Sequence, residues 1–474
     1  MIQRQLNPKR DFSCQKASAN ASRPCGMLRT ALLLSLILLA GLRPTLAGPA
    51  LLQESNPPKA ADQGQAEPLR LDSLVAELLK SNPELQAARK RYEAALTRPA
   101  QESALPDPRV TAGWVSNGWP YPGAGLGAEA TSNIGIQVAQ EIPFPGKRAL
   151  KGGIAQKEAD SEAQSARALE LRLVAQLKQK YYDLLFTYEA VDLIHRNQAL
   201  LQQLAKVAEA RYSAGKAMQQ DIIKASIEVT ILDNRLIALE QKKLSSQAEI
   251  NALLNRPPDA DLGRPETVSA TPALEPFESL RNRAVEASPL LQGQRAVIDG
   301  RQLNVQSAQK AYYPDFDVMT GYYNQGAMKP MWEFKVQVNI PLYFGKKQRY
   351  GLEEAGANLA EAQRTYRNEQ QWLLFRLRDR YVAAEAALKL MDLYSKQVVP
   401  QSELALQSSL ASYEGGGVDF LTVLSNFTSI REYQMSYFEQ RAEYLKALSG
   451  MEELTGIPGG SATNQGFPQN EVRR

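Results

Sequence analysis

The stretch Trp332-Glu333-Phe334-Lys335-Val336-Gln337-Val338-Asn339-Ile340 alternates without a break. Trp332, Phe334, Val336, Val338 and Ile340 fall on one face of an extended chain. Glu333, Lys335, Gln337 and Asn339 fall on the other, because successive strand side chains point to opposite sides. Three further segments repeat the pattern: Val110, Ala112 and Trp114; Ile134, Ile136 and Val138; Phe316, Val318, Thr320 and Tyr322. Strands with one apolar and one polar face suit either a half-buried soluble sheet or the wall of a membrane β-barrel. Two of the four run into closely similar stops, Pro143 to Lys147 and Pro341 to Lys346. Together they favour the barrel, with Trp332, Phe334, Val336, Val338 and Ile340 facing lipid.

Outward from these strands the chain repeats itself. Pro83 and Pro289 stand 206 residues apart, as do Pro108 and Pro314. Ile142-Pro143-Phe144-Pro145-Gly146-Lys147 returns as Ile340-Pro341-Leu342-Tyr343-Phe344-Gly345-Lys346. Tyr212-Ser213-Ala214-Gly215 returns as Tyr413-Glu414-Gly415-Gly416. Copy one covers 71–256 and copy two 277–456, joined by a Pro-rich linker at 257–276. Strands are expected near 108–117, 131–142, 314–323 and 332–341. Long helices are expected near 146–213, 218–254, 346–413 and 418–455. From Gly146 to Tyr212 there is no proline and, after Gly153, no glycine. A helix of that length runs about 100 Å at 1.5 Å per residue. Apolar positions step by three and four (Leu177, Tyr181, Leu184, Tyr188, Val191; then Leu374, Leu377, Tyr381, Ala384, Leu388, Met391), which is coiled-coil spacing.

The start of the chain reads as an address. Ala31–Leu42 is an apolar run too short to span a bilayer but suited to a signal peptide, with Arg29 before it and Thr45-Leu46-Ala47 closing it. The signal peptide is placed at 1–47 with its core at 27–47, residues 1–26 lying upstream of the true start or forming a long leading segment. A tail, 48–70, follows, and a second tail occupies 457–474. Leucine stands where a lipoprotein signal needs cysteine, so no lipid anchor is expected. The only cysteines, Cys14 and Cys25, lie inside the leader, which excludes disulfides and thiolate metal sites from the mature chain.

Composition excludes more. The 55 basic residues nearly balance 51 acidic ones, too even for a nucleic-acid binder recognised by charge. His195 is the sole histidine, so no nucleophile–base pair is possible beyond His195, and no metalloprotease motif is available. It is expected to be a packed or half-exposed helical residue. No catalytic residue, cofactor or bound metal is expected. Met328 and Met331 could attract soft metals but read more simply as loop residues, as do Gly118 to Gly123. Lys147, Arg148, Lys151, Lys346, Lys347 and Arg349 open both long helices. They face either lipid phosphates where barrel meets helices, or water.

Four strands cannot close a barrel, and an open edge cannot face lipid. The chain must therefore oligomerise. A homotrimer supplies twelve strands, continued by a ring of twelve long helices: an α+β membrane protein whose β-barrel leads into an α-helical coiled-coil barrel.

At this point the residues resemble the TolC-type outer-membrane efflux factors, over nearly all of the mature chain. The carrying features are the duplicated strand–strand–helix–turn–helix order, Ile142 to Arg148, Arg211 to Lys216, and Tyr413-Glu414-Gly415-Gly416-Gly417-Val418-Asp419. The Pro-Phe-Pro-Gly-Lys-Arg junction and Gly215 to Ile222 look most like the outer-membrane subunit of cobalt-zinc-cadmium and copper/silver pumps. The resemblance implies a trimer in the outer membrane with a periplasmic extension, docked onto a periplasmic adaptor (membrane fusion protein) and an inner-membrane RND pump. It places adaptor docking at Tyr212 and Gly215 and at Tyr413 and Gly416, although these glycines also suffice simply to turn the chain. Family members often carry acidic rings after the second tip; Thr422 and Ser425 stand there instead. Asp221 and Asp419 are then the candidate aperture acids, or else solvated acids near helix starts. The implied function is a passive exit duct, for heavy-metal cations first. Export of drugs or proteins, and a soluble periplasmic coiled-coil scaffold, are the alternatives.

Overall fold

A computed structural model describes residues 69–117, 121–268 and 271–456. The expected signal peptide, both cysteines, most of the first tail, the second tail and Trp119 lie outside the described residues. The fold is α+β. Copy one contains α1 (Leu71–Ser81), α2 (Pro83–Ser103), β1 (Arg109–Val115), β2 (Asn133–Ile142), α3 (Lys147–Ser213) and α4 (Gln219–Leu253). Copy two contains α5 (Phe277–Ala287), α6 (Pro289–Lys310), β3 (Asp315–Asn324), β4 (Met331–Asn339), α7 (Gln348–Leu393), a π-turn at Tyr394–Val398, α8 (Val399–Gly415) and α9 (Phe420–Thr455).

Local chemistry sets the boundaries. Pro83 opens α2 behind Asn82, whose Oδ1 accepts the Leu85 N–H at 3.0 Å; proline at the first helical position sacrifices no hydrogen bond. Leu69, placed in the tail by the sequence, instead pairs with the linker: its N–H donates to Arg264 O at 2.8 Å, and its carbonyl accepts from Glu266 N–H at 3.1 Å.

The long helix expected across 346–413 is not one regular helix. It is interrupted by the π-turn, in which the Val399 N–H reaches back to Tyr394 O. Pro400 explains the break: it lacks the N–H a regular helix would use there, and its ring crowds the preceding turn. The buried seam of α7 is Leu373, Leu377, Ala384, Ala387 and Met391. Leu373 therefore takes the inward position expected of Leu374, which is half-buried. His195 is exposed on α3.

The helices form a layer. α3 packs against α2 and α4 on one side and α6 and α9 on the other, and α7 packs on α6 and α9. Two apolar clusters repeat the duplication. One gathers Leu74, Leu78, Leu85, Leu177, Leu184 and Ile250; the other gathers Leu280, Leu291, Leu377, Met391, Tyr444 and Leu454. A third joins the copies near the helix ends: Leu201, Leu204, Leu232, Phe420, Val423 and Phe427. Ion pairs stitch α3 to α9, with Lys178–Glu452 at 2.6 Å, Lys446–Asp183 at 2.9 Å and Arg441–Glu189 at 2.8 Å. Among the described residues no helix is long and apolar enough to cross a membrane.

Candidate functional site: an apolar sheet face and paired helix tips

The four strands form one antiparallel meander, β1-β2-β3-β4. Its register decides which side chains share a face. Val110 lies opposite Val138, Val138 opposite Thr320, and Thr320 opposite Phe334. Ile136 lies opposite both Ala112 and Tyr322, and Tyr322 opposite Trp332. Every apolar stripe therefore falls on the same side, and four separate alternations become one surface. That surface is open: Trp332 and Phe334 are each 73% exposed, and Val110, Ile136, Val336 and Val338 are exposed too. Ile340 is exposed but lies one residue past the end of β4. Large exposed apolar patches mark contact surfaces rather than water-facing ones.

The opposite face is polar. Arg109 Nη2 donates to Asp317 at 3.2 Å, and Asn339 Nδ2 donates to the same carboxylate at 2.9 Å. Tyr323 Oη donates to Glu333 at 2.8 Å, and Glu333 pairs with Lys335. β1 and β4 each keep one edge unpaired by any described strand. An apolar side, a polar side and two free edges are the properties of an arc of barrel wall.

At the far end of the helices the chain reverses twice. Gly215 adopts φ 70° and Gly416 φ 83°, the left-handed region that L side chains avoid. The wraps match: Lys216 N–H donates to Arg211 O at 2.8 Å, and Gly417 N–H donates to Ser412 O at 2.8 Å. Each bond satisfies a carbonyl the ending helix leaves open. Arg211 couples the two tips. Its Nη1 donates to the carbonyls of Tyr413 and, at 2.7 Å, Glu414. Its guanidinium sits 4.6 Å from the centre of the Tyr413 ring, which leans on Phe420 at 5.6 Å.

The structure thus separates residues the sequence grouped. Tyr212 is 45% exposed at the first tip, whereas Tyr413 is only 4% exposed. The Tyr413 ring is enclosed by its own chain, and burial pushes its phenol up from its ordinary range. It shapes the tip from behind rather than presenting a surface.

Asp419 is the N-cap of α9: its Oδ1 accepts the Thr422 N–H at 3.0 Å and the Thr422 hydroxyl. The Thr422 hydroxyl, then its N–H, hold this carboxyl below its usual range. Asp221 lies in the first turn of α4. Among the described residues no group of His, Cys, Asp and Glu is arranged to hold a metal ion.

Sequence reasoning missed Arg211 as a coupling residue, because its acceptors are backbone carbonyls about two hundred residues away. It also missed Arg431. That residue is buried on α9 and ion-paired to Glu228 on α4. No local pattern marks either partner.

Lys147, expected to face lipid phosphate or water, does neither: its Nζ lies 2.9 Å from both oxygens of Asp315.

A sheet arc with an apolar outer side, set on a column of long helices, defines an outer-membrane channel protein. The chain belongs to the outer membrane efflux protein family, whose model matches residues 74–256 and 280–457. Membership places it among conduits rather than enzymes. It is 22% identical over 384 residues to the cobalt-zinc-cadmium resistance protein CzcC of Cupriavidus metallidurans, covering 81% of this chain and 87% of that one. It is also 22% identical over 438 residues to the pyoverdine export outer membrane protein OpmQ of Pseudomonas aeruginosa, covering 85% and 88%. Its fold matches the solved structure of CusC, described for its transmembrane channel formation, with a TM-score of 0.70 at 15% identity, over 82% of this chain and 92% of that one.

Proposed function

We propose that three copies of this chain form the outer-membrane duct of a tripartite efflux pump, and that the duct carries heavy-metal cations. The carrying observation is the four-stranded sheet, apolar and exposed on one face with both edges free. Three such arcs supply the twelve strands of a closed wall, with Trp332, Phe334, Val336 and Val338 toward lipid and Ile340 at its rim. The helix layer supports the same count of copies. Ile223, Ile227, Ile237 and Leu244 are exposed on the outer flank of α4. Trp372, Phe375, Val382 and Leu393 are exposed on α7, at the other end of the layer. Both sets fall at coiled-coil spacing, so α7 of one copy can pack on α4 of the next until the ring closes.

The paired tips are the docking surface for a periplasmic adaptor, fed by an inner-membrane RND pump. Tyr212, Gly215 and Gly416 present the contact, and Tyr413 holds the second tip in shape. Asp221 and Asp419 lie near those tips and supply the carboxylates at the entrance. Repeated around an axis, such acids favour cations over anions.

Heavy metals are supported by the junction Ile142 to Arg148 and by the similarity to CzcC; organic export is the second reading, supported by the equally extensive similarity to OpmQ. Fractionation tests the duct: a heat-sensitive trimer in the outer membrane is expected, and a soluble monomer overturns it. Deleting the gene tests the cargo. Reduced tolerance to zinc, cobalt, cadmium, copper or silver is expected, whereas unchanged metal tolerance with raised dye sensitivity assigns the duct to organic cargo.

A further inference from the structure

Inside the chain, α9 lies against α3 in a fixed antiparallel register. Tyr182 of α3 packs on the cluster that holds Leu445 of α9. Glu189 accepts from Arg441 at 2.8 Å, and Leu193 shares a cleft with Phe438. One ion pair therefore sits between two apolar contacts, and its side chains are only 16% and 12% exposed.

The duplication writes this register a second time. Leu173, Leu177, Leu184 and Thr187, buried on α3, correspond to Leu373, Leu377, Ala384 and Ala387, buried on α7, 200 residues on. The π-turn at Tyr394–Val398 takes up one further residue, because an i→i+5 turn is one residue longer than an α-turn. The tip tyrosines, Tyr212 and Tyr413, accordingly stand 201 apart. From α4 to α9 the step is 201 at both ends. The N-cap residues Met218 and Asp419 keep it, and so do the left-handed residues just past each helix, Asn255 and Gly456. Tyr182, Glu189 and Leu193 thus become Val382, Lys389 and Leu393 on α7. Leu445, Arg441 and Phe438 become Leu244, Glu240 and Ile237 on α4. All six are exposed in the single chain. There Lys389 reaches Glu385 one turn away, and Glu240 reaches Lys243, each at 2.7 Å.

We propose that Lys389 of one copy pairs with Glu240 of the next, held between Val382 on Leu244 and Leu393 on Ile237. This rests on the trimer proposed above, with α7 on α4, and names the contact that selects the partner. The signs are the reverse of those inside the chain. The internal pair has its acid on α3 and its base on α9; the boundary pair has its base on α7 and its acid on α4. The reversal matters because α9 is the repeat equivalent of α4 and shares its apolar spacing. A neighbour that offered α9 to α7 would set Arg441 against Lys389, two cations in one closed seam. Attraction to the right helix and repulsion of its look-alike together give specificity. The flanking apolar residues keep water out, so salt screens the pair less than an open surface pair.

The test is thermal dissociation of the detergent-purified full-length trimer, with Lys389→Glu, Glu240→Lys and the two combined. All three variants should fold, since both side chains are exposed in the single chain. Each single reversal should speed dissociation by about tenfold or more, because like charges then face each other at every boundary. The combined exchange should bring the rate back toward that of the native chain. Pairs within one helix cannot give that recovery, because the exchange leaves like charges beside both Glu385 and Lys243. Single reversals without effect overturn the proposal, and so does a combined variant as weak as the sum of its parts. Cysteines at Val338 and Ala112 report the barrel boundary separately. Chains that cross-link there without charge-exchange recovery overturn this inference alone; chains that never cross-link overturn the trimer beneath it.

Discussion

The guanidinium of Arg211, in the last turn of α3, lies 4.6 Å over the ring of Tyr413 at the end of α8 and donates to the carbonyls of Tyr413 and Glu414. One side chain of copy one thereby caps a helix of copy two and ties the two tips together. Arg211→Ala removes two hydrogen bonds to part-buried and exposed carbonyls and the cover over the Tyr413 ring, a loss of about 0.5–1.5 kcal/mol by the usual net worth of such a hydrogen bond. The loss should be local. Hydrogen exchange at Gly416 and Gly417 should accelerate while the rest of α3 stays protected. Arg211→Lys should recover only part of the effect, because an ammonium cannot spread over a ring and two carbonyls as a planar fork does.

Substituting the tip glycines separates conformational cost from steric cost. A Cβ on Gly215 meets nothing within 4 Å, and one on Gly416 meets only Arg211 Nη2 at 3.8 Å. Gly215→Ala and Gly416→Ala should therefore cost about 1–2 kcal/mol each, the price of left-handed backbone alone. Asn, which tolerates that region better, should cost less. Proteolytic nicking of the tips measures the order. Adaptor affinity should follow it if the tips dock, and stay flat if the glycines do no more than turn the chain.

Buried charge between the copies gives a sharper test. Arg431 is almost wholly buried and paired to Glu228. Removing only the acid, in Glu228→Ala, leaves the guanidinium only the more distant Glu432 carboxylate at 3.9 Å and should cost about 2–4 kcal/mol, somewhat less than a fully stranded buried charge. Arg431→Met with Glu228→Leu should cost much less, since an apolar pair needs no desolvated charge. Thermal unfolding of Arg431→Met alone, Glu228→Leu alone and the double completes the cycle.

Asp419 makes one helix start sensitive to acid. Its carboxyl is held below the ordinary range by the hydroxyl and N–H of Thr422. A folded-state value below the unfolded one means that the cap contributes its stability above the unfolded value. That contribution fades as pH falls through the folded value. The first turn of α9 should fray in acid in the native chain. In Asp419→Asn, which still accepts the N–H but does not titrate, fraying should be independent of pH. NMR or hydrogen exchange of Thr422 between neutral and acidic pH reads the difference. Identical acid sensitivity in both proteins would remove Asp419 as the cause.

These tests fall where sequence and structure part company. The alternation of Trp332 to Ile340 was legible because a wall between lipid and polar interior enforces period two on every residue. Gly215 and Gly416 were legible because a helix that reverses within a few residues needs left-handed backbone. Arg211, Arg431 and Asp315 were not, since each acts on a group far away in the chain and nothing in its neighbourhood names the partner. The break at Tyr394–Val398 was within reach: Pro400 sits in the matching stretch, and equal length with copy one concealed what a missing N–H would do. Leu373 was confused with Leu374 because a seam drifting between periods of 3.5 and 3.6 cannot be phased from one helix alone.

The boundary between copies can be read out directly. The internal register pairs Gln140 with Val318; shifted by the repeat, it pairs Val338 of one copy with Ala112 of the next. Both residues lie on the apolar face, and Ala112 is small enough for a cysteine to replace it without repacking. A chain carrying Val338→Cys and Ala112→Cys, with Cys14 and Cys25 changed to serine, holds no other thiol. Oxidation should link three chains into a ladder of dimer and closed trimer that reductant reverses. Moving one cysteine to Trp114 shifts the pair by two positions, about 7 Å along the strand, beyond what a disulfide can bridge without backbone movement. That pair should stay reduced. Equal cross-linking of both pairs would show a boundary without fixed register, and the strand-by-strand equivalence between the two halves of the chain would have to be abandoned.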